Sequence, residues 1–182
     1  MSRGDSQILA MMPDIGQQLG QSILGSSIGE RISMRYGISA AGIIVEDDEV
    51  LMAHHVGPDY DFWTLPGGRL EGNESVFDCA KRELAEETSL AVELDRIVYI
   101  QEFAEPDYHF CKFFILCNGY VGEPTIANKP DGEDHLVGVS FLSKPEIQAL
   151  EVYPQVLYDQ FWNDVADDFP QTRYLGLQHI KP

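Results

Sequence analysis

The chain has 182 residues, with 30 Asp and Glu against 12 Lys and Arg, a formal net charge of −18. That balance leaves no Lys/Arg cluster to follow a phosphate backbone, which argues against a nucleic-acid polymer as partner. Its apolar content of 44% and aromatic content of 10% are those of a globular chain long enough to bury a full core.

Residues 1–30 differ from the rest, rich in Gly, Ser and Gln with a weakly apolar middle from Ile8 to Leu24. They read as an extension, either a loose arm or a short helix that docks on a partner subunit, ahead of one domain over residues 31–182. Regular structure is expected from about Tyr36. Ile38 to Val45 and Val50 to His55 read as strands joined by the charged turn Glu46-Asp47-Asp48-Glu49. Phe62 to Leu65 leads into the turn Pro66-Gly67-Gly68, and Ser75 to Thr88 reads as a helix. Ser75 with Asp78 three residues on fits a capping box, and Val76, Ala80 and Leu84 recur every four residues as the stripe that faces a core. Val92 to Leu94, Ile97 to Phe103, Phe110 to Cys117 and Leu136 to Leu142 are strand-like. A short helix follows the cap-like Ser143 and Pro145, and Pro154 opens a last helix to about Ala166. Strands on both sides of one central helix, with helices at the end, indicate an α+β layered domain with a mixed sheet.

The chemistry concentrates between Gly68 and Leu90. Glu83, Glu86 and Glu87 stand at i, i+3 and i+4 of the expected helix, so their carboxylates are near neighbours. Like charges at that spacing repel by a few tenths of a kcal/mol per pair. Glu86 and Glu87 also sit in the last turn, the wrong end of the helix dipole for an anion. Folding a helix does not require this arrangement, and a hard divalent cation would relieve it. Arg82 is expected to point away from the trio and pair with Glu74, holding loop to helix. The alternative for any glutamate run is a solvated acidic face, which leaves the ordered spacing after the glycine turn unexplained.

That spacing resembles the signature of the Nudix hydrolases, matched here at Gly68, Glu74, Arg82, Glu83, Leu84, Glu86, Glu87 and Leu90. The one departure is Ser89, where the family has glycine; the position calls for a left-handed residue, which costs serine more than glycine. The resemblance implies an α+β fold with a mixed sheet sandwiched between helices, an α/β/α sandwich. It implies Mg²⁺, with Mn²⁺ as an alternative, bound by Glu83, Glu86, Glu87 and the carbonyl of Gly67. Gly68, Glu74 and Arg82 would support the loop-helix motif. The implied activity is hydrolysis of the pyrophosphate linkage in a nucleoside diphosphate derivative, a small-molecule nucleotide, with a homodimer as a family-level expectation. Glu87 and Glu86 would be catalytic, and Glu86 within the helix or Glu133 or Asp134 outside it are the candidates for the base that orients water.

Phe62, Trp63 and Tyr60 precede the glycine turn and are candidates to wall a substrate cleft. Pro106 resembles the ADP-ribose subgroup and Tyr108 the dinucleoside-polyphosphate subgroup, so the two indicators compete; ADP-ribose or another ADP-sugar is favoured. His54-His55 reads as a surface pair, and His109, His135 and His179 make no ligand cluster. Cys79, Cys111 and Cys117 are odd in number with no C-x-x-C pair, which suits free thiols in a reducing compartment. No apolar run approaches the roughly 18 residues that span a bilayer, and no basic-then-apolar leader is seen, so a soluble cytoplasmic protein without a membrane partner is expected. The rival reading is a non-catalytic Nudix-fold domain that senses a nucleotide or binds a partner, in which a lost carboxylate would be expected.

Overall fold

The computed structural model describes residues 34–180, so the extension read at 1–30 lies outside the described residues. The chain forms β1 (Arg35–Ile43), β2 (Val45–Glu46), β3 (Glu49–Gly57), β4 (Tyr60–Thr64) and β5 (Gly67–Arg69) before helix α1 (Val76–Thr88). Then come β6 (Ala91–Ala104), β7 (Tyr108–Val121), β8 (Leu136–Ser143), α2 (Lys144–Ala149), β9 (Val152–Tyr153), a 3₁₀ turn at Gln155–Tyr158, α3 (Gln160–Ala166) and β10 (Arg173–His179). The strands divide between two mixed sheets. One runs β10-β6-β7-β1-β5 and the other β2-β3-β4-β9, with β8 pairing β3. The domain is therefore α+β with mixed sheets and few helices, as the strand and helix signals indicate.

The main core joins both sheets to the C-terminal helices through Ile43, Met52, Leu65, Tyr99, Phe114, Ile147, Leu157 and Phe161. Helix α1 closes over β1 with its apolar stripe, burying Cys79, Ala80 and Leu84. Its start is the expected capping box. The Ser75 amide donates to the Asp78 carboxylate and the Asp78 amide to the Ser75 hydroxyl, each at 3.2 Å.

Three elements differ from the sequence reading. The two strands expected between Val92 and Phe103 are one strand, β6, whose register against β7 shifts around Leu94–Ile97; a bulge there absorbs the polar Asp95-Arg96 pair without ending the strand. The last helix is broken. Asp159 takes φ −141° between the 3₁₀ turn and α3, and this lets Leu157 and Phe161 both reach the core. Strand β10 carried no clear signal because it is a half-exposed edge whose alternation is interrupted at Gly176 (φ +91°). It is held by Arg173, whose guanidinium donates to the buried Asp164 carboxylate at 2.7–3.0 Å, while Tyr99 donates to the same carboxylate at 2.8 Å. Burial opposes ionisation of Asp164, but these bonds outweigh it and keep the carboxyl below its ordinary range. Among the described residues no helix is long and apolar enough to cross a membrane.

Candidate active site

Strand β5 and helix α1 meet at the glycine turn and bring backbone and carboxylates to one end of a cavity of about 370 Å³. Gly67 pairs with Ala41 of β1 in a register that leaves no room for a side chain. Its amide points away from the sheet and donates to Glu87 at 2.7 Å. Gly68, beside it, lies so close to the Glu83 carboxylate that a Cβ there would stand 2.3 Å from an oxygen. Both carboxylates are nearly enclosed, Glu83 at 8% exposure and Glu87 at 5%.

Burial pushes the Glu83 carboxyl up to about 7, with Arg82 opposing and the charges of Glu86 and Glu133 adding. Burial, then the charge of Glu83, also raises Glu87, against the Gly67 hydrogen bond. In both groups the cost of burying the charge outweighs the cations and hydrogen bonds nearby.

Arg82 does not point away from the trio. Its Nη2 and Nε hold Glu74 at 2.7 and 3.1 Å, and Nη2 also donates to the Arg69 carbonyl at 2.9 Å. Its Nη1 lies between Glu83 and Glu86 at 2.9 and 3.0 Å. The i,i+4 reach from Arg82 to Glu86 makes this bridge available as soon as the helix forms. The hydrogen bonds from Arg82 hold Glu74 down to about 2, which makes the loop-to-helix link a permanent ion pair above mildly acidic pH.

Among the described residues no three Asp, Glu, His or Cys side chains stand closed around one point as metal ligands do, and the Arg82 guanidinium spans two of the three carboxylates. The donor set nevertheless fits a hard divalent cation. It is all oxygen, two of its carboxylates are buried with raised pKa, and the glycine turn leaves main-chain oxygen within the same cavity wall.

This gives a pH-dependent expectation. A carboxyl raised in the folded state binds more protons folded than unfolded, so its contribution is present below the unfolded value and lost as pH rises through the folded one. In EDTA, stability should therefore fall between about pH 5 and pH 8, by an amount of order 3 kcal/mol for Glu83. Mg²⁺ should restore it, so the rise in melting temperature on adding Mg²⁺ should be larger at pH 8 than at pH 5. A metal-induced shift equal at the two pH values would mean that these carboxylates do not hold the ion.

Ser89, which stands where the motif has glycine, adopts the left-handed conformation (φ 61°, ψ 16°) and closes α1 by donating its amide to the Ala85 carbonyl. Its hydroxyl donates to the Thr125 carbonyl at 2.8 Å and accepts from the Asn128 amide at 3.3 Å. The serine thus ties the 125–128 segment to the helix end, a contact glycine could not make.

Of the bases considered, Glu133 lines the cavity and Asp134 does not. Burial raises the Glu133 carboxyl, with His135 opposing and Glu86 adding. Phe62 also lines the cavity, whereas Trp63 and Tyr108 do not. Strand alternation sends Trp63 to the opposite face from Phe62, where it stacks on His54 at 4.2 Å. Tyr108 is buried in the sheet face beside Gly37, with the Arg69 guanidinium 4.7 Å over its ring. The His54-His55 pair is split by the same alternation. His54 meets Asp61 at 2.7 Å, but His55 is 1% exposed against Phe62 and His135. Burial first, then the charges of neighbouring groups, lowers His55 to about 3.

The sequence reading passed over several cavity residues: Ser39, Lys112, Phe103, Phe110 and Gln178. All sit on strands far from the glycine turn in sequence. Lys112, a cation on a strand of otherwise apolar inward residues, was the one local signal for them.

A family model described as the NUDIX domain matches residues 36–160. A "MutT-like protein" of Streptomyces ambofaciens is 39% identical over 62 residues, which is 34% of this chain and only 40% of that protein's length. A NUDIX hydrolase crystal structure from Nitrosomonas europaea superposes with TM-score 0.60 at 18% identity over 80% of each chain. An ADP-ribose pyrophosphatase structure from Streptococcus suis gives TM-score 0.53 at 21% identity, covering 78% of this chain and 98% of that one. At these identities the structural likeness is one of fold.

Proposed function

The chain belongs to the NUDIX domain family, and from that premise we propose that it hydrolyses the pyrophosphate linkage of a nucleoside diphosphate derivative, an ADP-sugar such as ADP-ribose favoured. The observation that carries this reading is the buried carboxylate pair Glu83 and Glu87 in a cavity that also has an aromatic wall of Phe62, Phe103, Phe110 and Phe114. Such a cavity suits a ligand that is anionic at one end and planar at the other. The fold shared with the Streptococcus suis ADP-ribose pyrophosphatase makes ADP-ribose the first substrate to test.

In this reading Glu83, Glu86, Glu87 and the Gly67 carbonyl hold Mg²⁺ or Mn²⁺, which supplies charge neutralisation for the pyrophosphate. Arg82 keeps Glu83 and Glu86 oriented and anchors the loop through Glu74. Glu133 faces the same space from the 130–135 segment and accepts a proton from the attacking water, its raised pKa bringing it closer to the working pH of a base. Lys112 and Arg69 line the cavity and offset the negative charge of the phosphates. We assign residues 31–182 to this domain and place it in the cytoplasm, where its cysteines remain free thiols.

The test is a panel of ADP-ribose, other nucleotide sugars, dinucleoside polyphosphates, NADH and nucleoside triphosphates, with Mg²⁺ or with EDTA, and chromatography of the products. Metal-dependent release of AMP from ADP-ribose is the expected result. Folded protein that binds Mg²⁺ and nucleotides yet cleaves none of the panel would instead be a sensor.

A further inference from the structure

Strand β10 lies wholly beyond the family match, which ends at residue 160, yet it completes a wall of the cavity. It pairs in parallel with β6 and is fastened at both ends. The Thr172 hydroxyl donates to the Ile97 carbonyl at 2.7 Å, Arg173 holds Asp164, and the Ile180 amide donates to the Ala104 carbonyl at 2.9 Å.

Directly paired residues share a face of a sheet. The register therefore places Gln178, Phe103 and Phe110 in one row and Gln101, Lys112 and Ser39 in the next. Phe103 and Phe110 form an apolar surface, their rings stacked at 4.7 Å and 12°. The second row is polar and poorly satisfied from within. Neither the Ser39 hydroxyl nor the Gln101 amide oxygen has a hydrogen-bond partner among the described residues, though the two residues are 1% and 8% exposed. Buried polar atoms seldom stay in this state, so these two are open to a partner from outside the protein, water or ligand.

Gln101 does have one bond: its Nε2 donates to the Gln178 Oε1 at 3.2 Å. In that contact the Gln178 oxygen faces Gln101 and the Gln178 NH₂ is turned from it. The carbonyl keeps a second lone pair and the NH₂ keeps its two donors. Gln178 thus offers an acceptor and a donor side by side, in that order, at the aromatic end of the cavity. A side-chain amide of this kind reads the edge of a nucleobase, and a fixed order separates a base with an amino group from one with a carbonyl at the same position. The row from Ser39 to the β10 edge crosses three strand spacings, roughly 14 Å, which accommodates base, ribose and one phosphate. Lys112 and Ser39 then stand toward the phosphate.

We propose that β10 is a base-recognition element, in which Gln178, oriented by Gln101, distinguishes 6-amino from 6-keto purines lying along Phe103 and Phe110. This rests on the nucleotide-hydrolase reading, under which adenine is the preferred base. Gln178 is a binding residue and Gln101 a positioning residue.

The test compares AMP with IMP, which differ at the 6-position, by calorimetry in Mg²⁺, alongside turnover of ADP-ribose. The parent protein should bind AMP about tenfold more tightly than IMP. Gln178→Leu should weaken AMP about tenfold and bring the two ligands within about threefold. Gln178→Glu, which keeps the shape and loses the donors, should do the same. Gln101→Leu should narrow the ratio with Gln178 still present, because the amide is then free to turn over, an effect a merely structural role would not produce. An AMP/IMP ratio unchanged in Gln178→Leu, or a parent protein that binds the two equally or binds neither, overturns the proposal. If ADP-ribose is cleaved while the ratio is unchanged, base recognition by β10 fails and the hydrolase reading stands. If selective binding is lost in Gln178→Leu but nothing is cleaved, the reverse holds.

Discussion

Replacing Glu87 by Gln is expected to lower turnover by on the order of 10³-fold, with the fold at least as stable as the parent at neutral pH in EDTA. The metal site contributes several kcal/mol of charge stabilisation to phosphoryl chemistry, and each 1.4 kcal/mol is tenfold in rate. An amide at position 87 cannot supply the negative charge, but its oxygen can still accept the Gly67 amide now held at 2.7 Å. Stability does not suffer because burial disfavours the ionised form of Glu87, so removing the charge removes an unfavourable contribution. The paired readout is kcat with Mg²⁺ and a thermal melt in EDTA. Normal turnover by Glu87→Gln would show that the site assignment is wrong, and lost turnover with a collapsed melt would show that Glu87 is structural.

The two glycines of the turn should respond differently to alanine. A Cβ at Gly67 would stand 2.2 Å from the Ala40 carbonyl oxygen and 2.4 Å from the Ala41 Cα, and the residue has φ +151°. Backbone cannot move aside as a side-chain tip can, so Gly67→Ala should destabilise by about 2–4 kcal/mol from overpacking and strain together. It should also disturb Glu87 through the displaced amide. At Gly68 the Cβ meets only the end of the flexible Glu83 side chain, at 2.3 Å. Gly68→Ala should therefore fold with a stability change under about 1 kcal/mol, while turning Glu83 out of place and reducing activity. Urea denaturation and Mg²⁺-dependent turnover separate the two. Equal destabilisation by both substitutions would contradict the packing described for this turn.

How much of the site was legible depends on how local its determinants are. The carboxylates at 83, 86 and 87, the capping box at Ser75 and the left-handed residue at Ser89 belong to one helix and its ends. Their geometry follows from a rise and twist per residue that the chain applies wherever a helix forms. The exception within that segment is Arg82. Its long side chain satisfies Glu74, Glu83 and Glu86 together, and it also reaches the Arg69 carbonyl of β5.

The aromatic readings divide for a different reason. Phe62 and Trp63 are equally plausible as a wall, and only the register of β4 against β3, Phe62 opposite His55 and Trp63 opposite His54, sends one inward to the cavity and the other away. Tyr108 and Phe110 likewise lie on one face of β7, but Tyr108 sits under Arg69 beyond the cavity and Phe110 within its wall.

The sequence by itself determined the α+β class, the helix that carries the acidic trio, the glycine turn before it and the family to which the chain belongs. These rest on spacings of a few residues, where hydrogen-bond geometry and side-chain period leave few choices. Only the tertiary structure decided the split into two sheets, the placing of Glu133 in the same cavity as the trio, the burial of His55 and the wall made by Ser39, Lys112, Phe103 and Gln178. These depend on which strands become neighbours, and that is settled by the joint burial of apolar faces from distant segments rather than by any one segment's pattern.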